Sequence, residues 1–443
     1  DNLSHSPSRL RLVAFALDSK QHSSRVGSAA RIFRPSVPQG GLFVQKHFSF
    51  CLAAALCVPA IVSAQDAASN APSGSSVFVL GDLTVSGKQS GPLATPSVLT
   101  SVDMLDATLV EKQNVDTGWE LFKYAPGVQL TDFNQGTTSG KLSFRGFNGE
   151  GEINAVKFLI DGIPSNSNDG NMPYIDLIFP LDIRYVEVVR GTNDPRYGLY
   201  NIAGNVNINT YIGGDHSAAR ASYGSYNSAD VQIAKGIKLA NFTQDYFVAY
   251  RQSDGYRDHS ELEKFSLAGK WFYNWGSGSR VGFIARHHQN DAQEPGYLTF
   301  AQSRDDPEQS LPFSVTDGGD REINQYSLHL DTQPTDKLAW STKAYANQFD
   351  DTRFIKFSAG VSQQERVTEE KHFGALTTLT YRAKERLSVE GGLDFQHQGN
   401  KSLRYLTIER ARQSQTRDQD FELDTYGAYL QAVIKPTDKL KLV

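Results

Sequence analysis

Several clusters in this 443-residue chain carry side chains that could do chemistry, and each lacks a group that its chemistry needs. Gly149-Glu150-Gly151 opens a dinucleotide fingerprint, but Asn154 stands where the third glycine belongs and no crossover helix follows. Residues 166–171 have the oxygen-rich composition of a calcium loop, yet Leu177 occupies the position of the bidentate acid. His287 and His288 are neighbours on a predicted strand, where successive side chains point to opposite faces, so they cannot chelate one metal together. There is no Gly-x-Ser-x-Gly elbow. The expectation is a protein that is not an enzyme, with no catalytic residue, no resident metal and no cofactor. The formal net charge of -5 gives no basic footprint and argues against nucleic acid as a partner.

The elements around these residues are strands. Residues 156–160, 183–189 and 205–210 are β-branched or aromatic runs bounded by Gly, Pro, Asn and Asp, the pattern of strands closed by tight turns. Residues 141–146 (KLSFRG) begin the same set, and residues 113–124 read as a short amphipathic helix that stops at Pro126-Gly127. The Gly- and Asn-rich connections at 148–154 and 166–171 read as exposed loops on a rigid sheet, which is where function is carried.

From residue 214 onward the pattern changes to alternation. Phe265, Leu267, Gly269, Trp271, Tyr273 and Trp275 alternate with mostly small or polar residues, as do Leu387, Val389, Leu393 and Phe395, and Phe373, Ala375, Leu379 and Tyr381. One face suits lipid and the other water. Short turns at 276–279, 334–337, 383–386 and 436–439 alternate with long polar segments at 289–322, 350–370 and 398–424, as in a barrel with short periplasmic turns and longer outer loops. Trp271, Tyr273 and Trp275 lie beside a short turn, where an aromatic girdle belongs. The hairpins amount to about ten strands and the start of an eleventh. A free strand edge in lipid costs several kcal/mol per unpaired backbone group, so a barrel cannot stop there. A soluble β-sandwich or propeller is the alternative; the lipid-like faces and the loop asymmetry stand against it.

At the other end, the apolar run 48–62 follows Lys46 and His47, is too short to span a membrane as a helix, and ends in small residues that fit cleavage after Ala64. Residues 44–64 are read as a secretory signal peptide holding both cysteines, Cys51 and Cys57, and residues 1–43 as a spurious or leader extension. Residues 65–87 form a flexible tether. Within it Asp82, Leu83, Thr84, Val85 and Ser86 make a short extended segment, either the first strand of the next domain or a strand able to add to another protein's sheet.

The runs LFKYAPGVQL, SFRGF, FLIDGIP, YVEVVRG and RYGLYNIAGNVNINT, in this order and spacing, resemble the plug domain of TonB-dependent outer-membrane receptors. The chain departs from the usual pattern at Gly191-Thr192 and in the Asn205-Val206-Asn207 ending. The resemblance implies a mainly β fold in which a small α/β plug (88–212) sits inside an antiparallel transmembrane β-barrel. That barrel has 22 strands in the family, about ten of them within 214–443, so the resemblance implies that the chain is the N-terminal part of a longer, truncated protein. It implies a TonB box at Asp82, Leu83, Thr84, Val85 and Ser86. It makes Arg145 and Arg190 plug arginines that pair with carboxylates of the barrel wall, and makes the plug loops, with Asn148, Glu150, Asn154, Asn166, Asn168 and Asn171, candidates for substrate contact. The implied partners are the TonB complex, outer-membrane lipid and a ferric siderophore whose iron belongs to the cargo. Cobalamin or a sugar as cargo, and a barrel-based surface enzyme or adhesin, remain the alternatives.

Overall fold

Burial in the second half of the chain is turned inside out. Leu393 is 61% exposed and Leu328 56%, while Lys270, Arg286, His288 and Gln325 are each exposed by 2% or less. A soluble sheet cannot afford that inversion; a wall with lipid on one side and a polar, filled lumen on the other requires it.

The computed structural model describes residues 101–106, 109, 115, 117–133, 135–136, 140–147, 154–191, 197–276, 278–437 and 440–443, all within one compact unit, Ser75–Val443. The signal peptide, the segment at Asp82 to Ser86, and Asn148 and Glu150 lie outside the described residues.

The first region is a five-stranded sheet. Strands β1 (Ser101–Asp106), β6 (Ile183–Arg190), β7 (Gly204–Thr210), β4 (Val156–Ile160) and β5 (Ile163–Pro164) are adjacent in that order, and β4 and β7 run parallel. A two-stranded ribbon, β2 (Val128–Thr131) with β3 (Lys141–Phe144), lies apart from it. Leu105, Leu121, Phe122, Phe144, Phe158, Ile160, Val186 and Ile208 give this region its own apolar core. The helical pattern before Pro126 is a 3-10 helix, Gly118–Tyr124, with Trp119, Leu121 and Phe122 buried. Its few residues provide one buried edge, which the tighter helix supplies.

The second region is an eleven-stranded antiparallel wall in strict sequence order. Its strands are β8 (His216–Gly224), β9 (Ser228–Leu239), β10 (Phe242–Ser253), β11 (Leu262–Trp275), β12 (Ser279–Gln293), β13 (Gly318–Thr335), β14 (Leu338–Ile355), β15 (Gln363–Lys384), β16 (Leu387–Ile408), β17 (Ala411–Thr437) and β18 (Leu440–Leu442). Trp271 stacks on Phe283 with ring centroids 6.0 Å apart, and Tyr273 on Trp275, on the outward face beside the short turn.

The long polar segments are mostly not loops. Residues 350–370 contain the ends of β14 and β15, and residues 398–424 are a continuous hairpin that turns at Glu409 and Arg410, both with positive φ as a tight two-residue turn needs. Only 294–317 is a long connection, and it carries the short helix α1 (Phe300–Asp305), capped by Thr299 and Gln302. The strands outrun their alternation because above the bilayer both faces meet water, so nothing selects apolar residues while backbone pairing continues.

Candidate functional site

At three places the plug meets the wall through ion pairs with the carboxylate on the plug and the cation on the wall. Asp161 and Gly162 are the central residues of the β4–β5 hairpin, both at positive φ, and Asp-Gly is the pair that such a turn favours. The turn aims the Asp161 carboxylate at the wall. It accepts from Thr210 N and Thr210 Oγ1, each at 2.8 Å, and from the guanidinium of Arg286 on β12. Arg286 also donates to Gln325 Oε1 at 3.2 Å, and Lys343 Nζ of β14 donates to the Asp161 carbonyl at 2.8 Å. Burial pushes the Asp161 carboxyl up, but Arg286, Lys270 and the two Thr210 bonds outweigh it and hold the group at about 2.

Two further contacts repeat the polarity. Lys270 Nζ of β11 is 2.6 Å from Asp182 Oδ1 and also donates to the Tyr211 carbonyl at 2.9 Å. Burial raises the Asp182 carboxyl while Lys270 and Arg286 oppose it. Nearer the outer end, Arg321 of β13 bridges Asp176 (3.1 Å) and Asp351 (2.9 Å), with Lys264 Nζ 3.7 Å from Asp176.

Among the described residues, the two arginines expected to do this work have contacts inside the plug. Arg190 Nη2 is 2.5 Å from Asp103 Oδ2, inside the plug sheet, because β1 and β6 are in register with Ser101 opposite Arg190; its other nitrogen donates to the Pro126 carbonyl. Arg145 is exposed at a turn with φ 53, and its guanidinium occupies the space that a Cβ on Gly191 would need. That contact, with a φ of +68, accounts for glycine at 191. The asparagines of β7 are equally structural. Asn207 donates to Glu187 Oε2 at 3.1 Å and accepts from Gly162 N at 3.0 Å, so it braces the turn that carries Asp161.

Among the loop candidates, Asn166 is buried and spent on the plug itself, accepting from Phe158 N and donating to the Val156 and Gly170 carbonyls. Asn154 and Asn171 are tied to Asp169. The Asn168 amide donates to Glu370 Oε2 of β15 at 3.2 Å, joining this loop to the wall. The clamp residues Asp161, Asp176, Asp182, Lys264, Lys270, Arg286, Arg321 and Lys343 were missed in the sequence. The available signal was a lysine or arginine at a lumen position of a membrane-crossing strand, and an aspartate in a tight turn facing it.

Such a plug, held by ion pairs in an antiparallel wall with an apolar outer face, has the architecture of an outer-membrane barrel. Residues 95–205 match the TonB-dependent Receptor Plug Domain. The vitamin B12 transporter BtuB of Vibrio vulnificus is 29% identical over 164 residues, 36% of this chain and 26% of that protein. The fold is similar to that of the ferric citrate transporter FecA in the unliganded form, with TM-score 0.64, 18% identity, and 76% of this chain and 54% of that one covered. It is also similar to the copper transporter OprC, with TM-score 0.61, 14% identity, and 80% and 55% covered. This chain thus matches about a quarter of the length of that curated relative and about half of those solved chains. Residues 95–205 are thus similar to a TonB-dependent receptor plug domain, and the fold of the chain is similar to that of those solved transporters.

Proposed function

We propose that this chain belongs to an active transporter that takes up ferric siderophores across the outer membrane. The supporting observation is how the lumen is filled. The plug has its own core, to which, among the described residues, the wall adds Ile323 and Phe349, with a small second apolar contact around Phe179 and Phe247. Much of the rest of the described junction is ionic or hydrogen-bonded, which suits a plug that shifts against the wall without unfolding.

In this reading cargo binds from outside, and the TonB complex in the periplasm pairs with Asp82, Leu83, Thr84, Val85 and Ser86 as an added strand. Energy from the inner membrane then displaces the plug. Residues 44–64 act as the export signal and 65–87 as the tether. A second reading, cobalamin as cargo, is favoured by the sequence match to a vitamin B12 transporter.

Deleting residues 82–86 is expected to abolish energised uptake while leaving cargo binding at the surface intact. Cells expressing the intact receptor or the deletion, supplied with radiolabelled ferric siderophores or cyanocobalamin, give the measurement. Undiminished active uptake by the deletion would remove the assigned coupling segment. Uptake of cobalamin and of no iron chelate would replace the cargo.

A further inference from the structure

Four arginines stand side by side on the lumen face near the outer end of the wall. The register sets Arg353 of β14 opposite Arg366 of β15, Arg366 opposite Arg404 of β16, and Arg404 opposite Arg417 of β17. No register shift separates them from Asn347, His372 and Gln398, which face the lumen on β14, β15 and β16, and the strand parity is the same. Side chains directly opposite on one face lie ~4.5–5.5 Å apart at Cβ, and like charges there repel.

Only Arg353 is neutralised, by Glu294 in a bidentate pair at 2.7 and 2.8 Å. Arg366 reaches Gln364 Oε1 at 3.1 Å and lies over the Phe357 ring at 5.0 Å. Arg404 Nε is buried with no hydrogen-bond partner. Neither Arg366, Arg404 nor Arg417 makes an ion pair among the described residues. The nearest lumen carboxylates are committed: Glu370 accepts from Asn400 and from the Asn168 amide, and Asp351 holds Arg321.

The row also stands in the right place for cargo. Arg366 is about 23 Å along β15 beyond Phe373, the last outward aromatic of that strand, at ~3.3 Å per residue. It therefore lies outside the apolar band. Headgroup phosphates of the surrounding lipid would meet the opposite, outward face.

We propose that Arg366, Arg404 and Arg417 bind a polyanionic iron chelate entering the lumen, with Arg353 and Glu294 fixing the end of the row. This rests on the transporter reading and narrows its cargo. Planar guanidinium groups at neighbouring strand positions match oxyanions borne on one rigid chelate, carboxylate or catecholate, and each bidentate contact adds orientation as well as charge.

Titration calorimetry on the intact receptor in detergent tests this with ferric citrate, a ferric tris-catecholate, cationic ferrioxamine B and neutral cyanocobalamin. At least one of the two anionic chelates is expected to bind, more weakly as salt rises, and about 10-fold or more weakly in Arg366→Gln or Arg404→Gln. Arg386→Gln at the opposite end of β15 should change nothing. Removing one of several like charges relieves repulsion, so these variants should fold, and plug amide exchange verifies that they do. Failure of both anionic chelates to bind, or unchanged affinity in the double variant, overturns the assignment. Energised uptake confined to the neutral or cationic probe would overturn the row's role and leave the transporter intact. Absence of energised uptake for every probe would instead overturn the transporter reading.

Discussion

Arg286→Met is expected to loosen the plug more than any other single change in the wall. The substitution leaves the Asp161 carboxylate buried beside Thr210 without the guanidinium that compensates it. Breaking one partner of a buried pair costs about 3–5 kcal/mol, since a charge stays behind in a poor solvent. Lys270 and Lys343 lie close enough to recover part of that, so the lower end of the range is expected. The measurement is local. Amide exchange in β4 and the Asp161-Gly162 turn should accelerate by about two orders of magnitude, because ~1.4 kcal/mol is a factor of ten, whereas the wall amides should keep their rates. Asp161→Asn alone should also be destabilising, by stranding Arg286. The double variant Asp161→Asn with Arg286→Met should be milder than the sum, and that non-additivity separates an ion pair from ordinary packing. Full additivity would mean that the two side chains act independently and that the clamp is misread.

This clamp shows which parts of the molecule could be read from the sequence. The strands at 156–160 and 183–189 were legible since their residues are β-branched and their ends are turn residues. The outward faces of β11, β15 and β16 were legible because lipid demands apolar side chains at every second position. Polarity of the plug junction was not. Arg145 and Arg190 advertise charge beside glycine, but only the β1–β6 register turns Arg190 toward Asp103, and only the fold of the 145–146 turn lays Arg145 over Gly191. Lys270 and Arg286 were visible as polar alternates on their strands, though a single chain of letters does not say whether a lumen cation meets water or a carboxylate. The arginine row is of the same kind. Its members are far apart in sequence, and pairing of four strands brings them level.

Lys157→Met is expected to stabilise the plug at neutral pH, in contrast to the clamp variants. Lys157 is a buried residue of β4, 5% exposed, and it faces Asp394 of β16 across a cavity of about 230 Å³ lined also by Tyr345 and Tyr429. Burial pulls the ammonium down to about 8, and the Asp394 charge offsets only part of the shift. An unfolded lysine titrates near 10.5, so folding favours the neutral amine. The cost is fully present below pH 8, shrinks as pH rises from 8 to 10.5, and is gone above that. The shift corresponds to at most about 3 kcal/mol at pH 7. Lys157→Met should therefore slow amide exchange in β4 at pH 7 and lose that advantage toward pH 10.5. Asp394→Asn should act oppositely, because it removes the one charge that favours the ammonium. A pH-independent effect of Lys157→Met would assign the gain to packing of the methionine. With the expected dependence, the plug is clamped at Asp161, Asp176 and Asp182 but strained at Lys157, and release of the clamp would let the Lys157 ammonium move toward Asp394 or water.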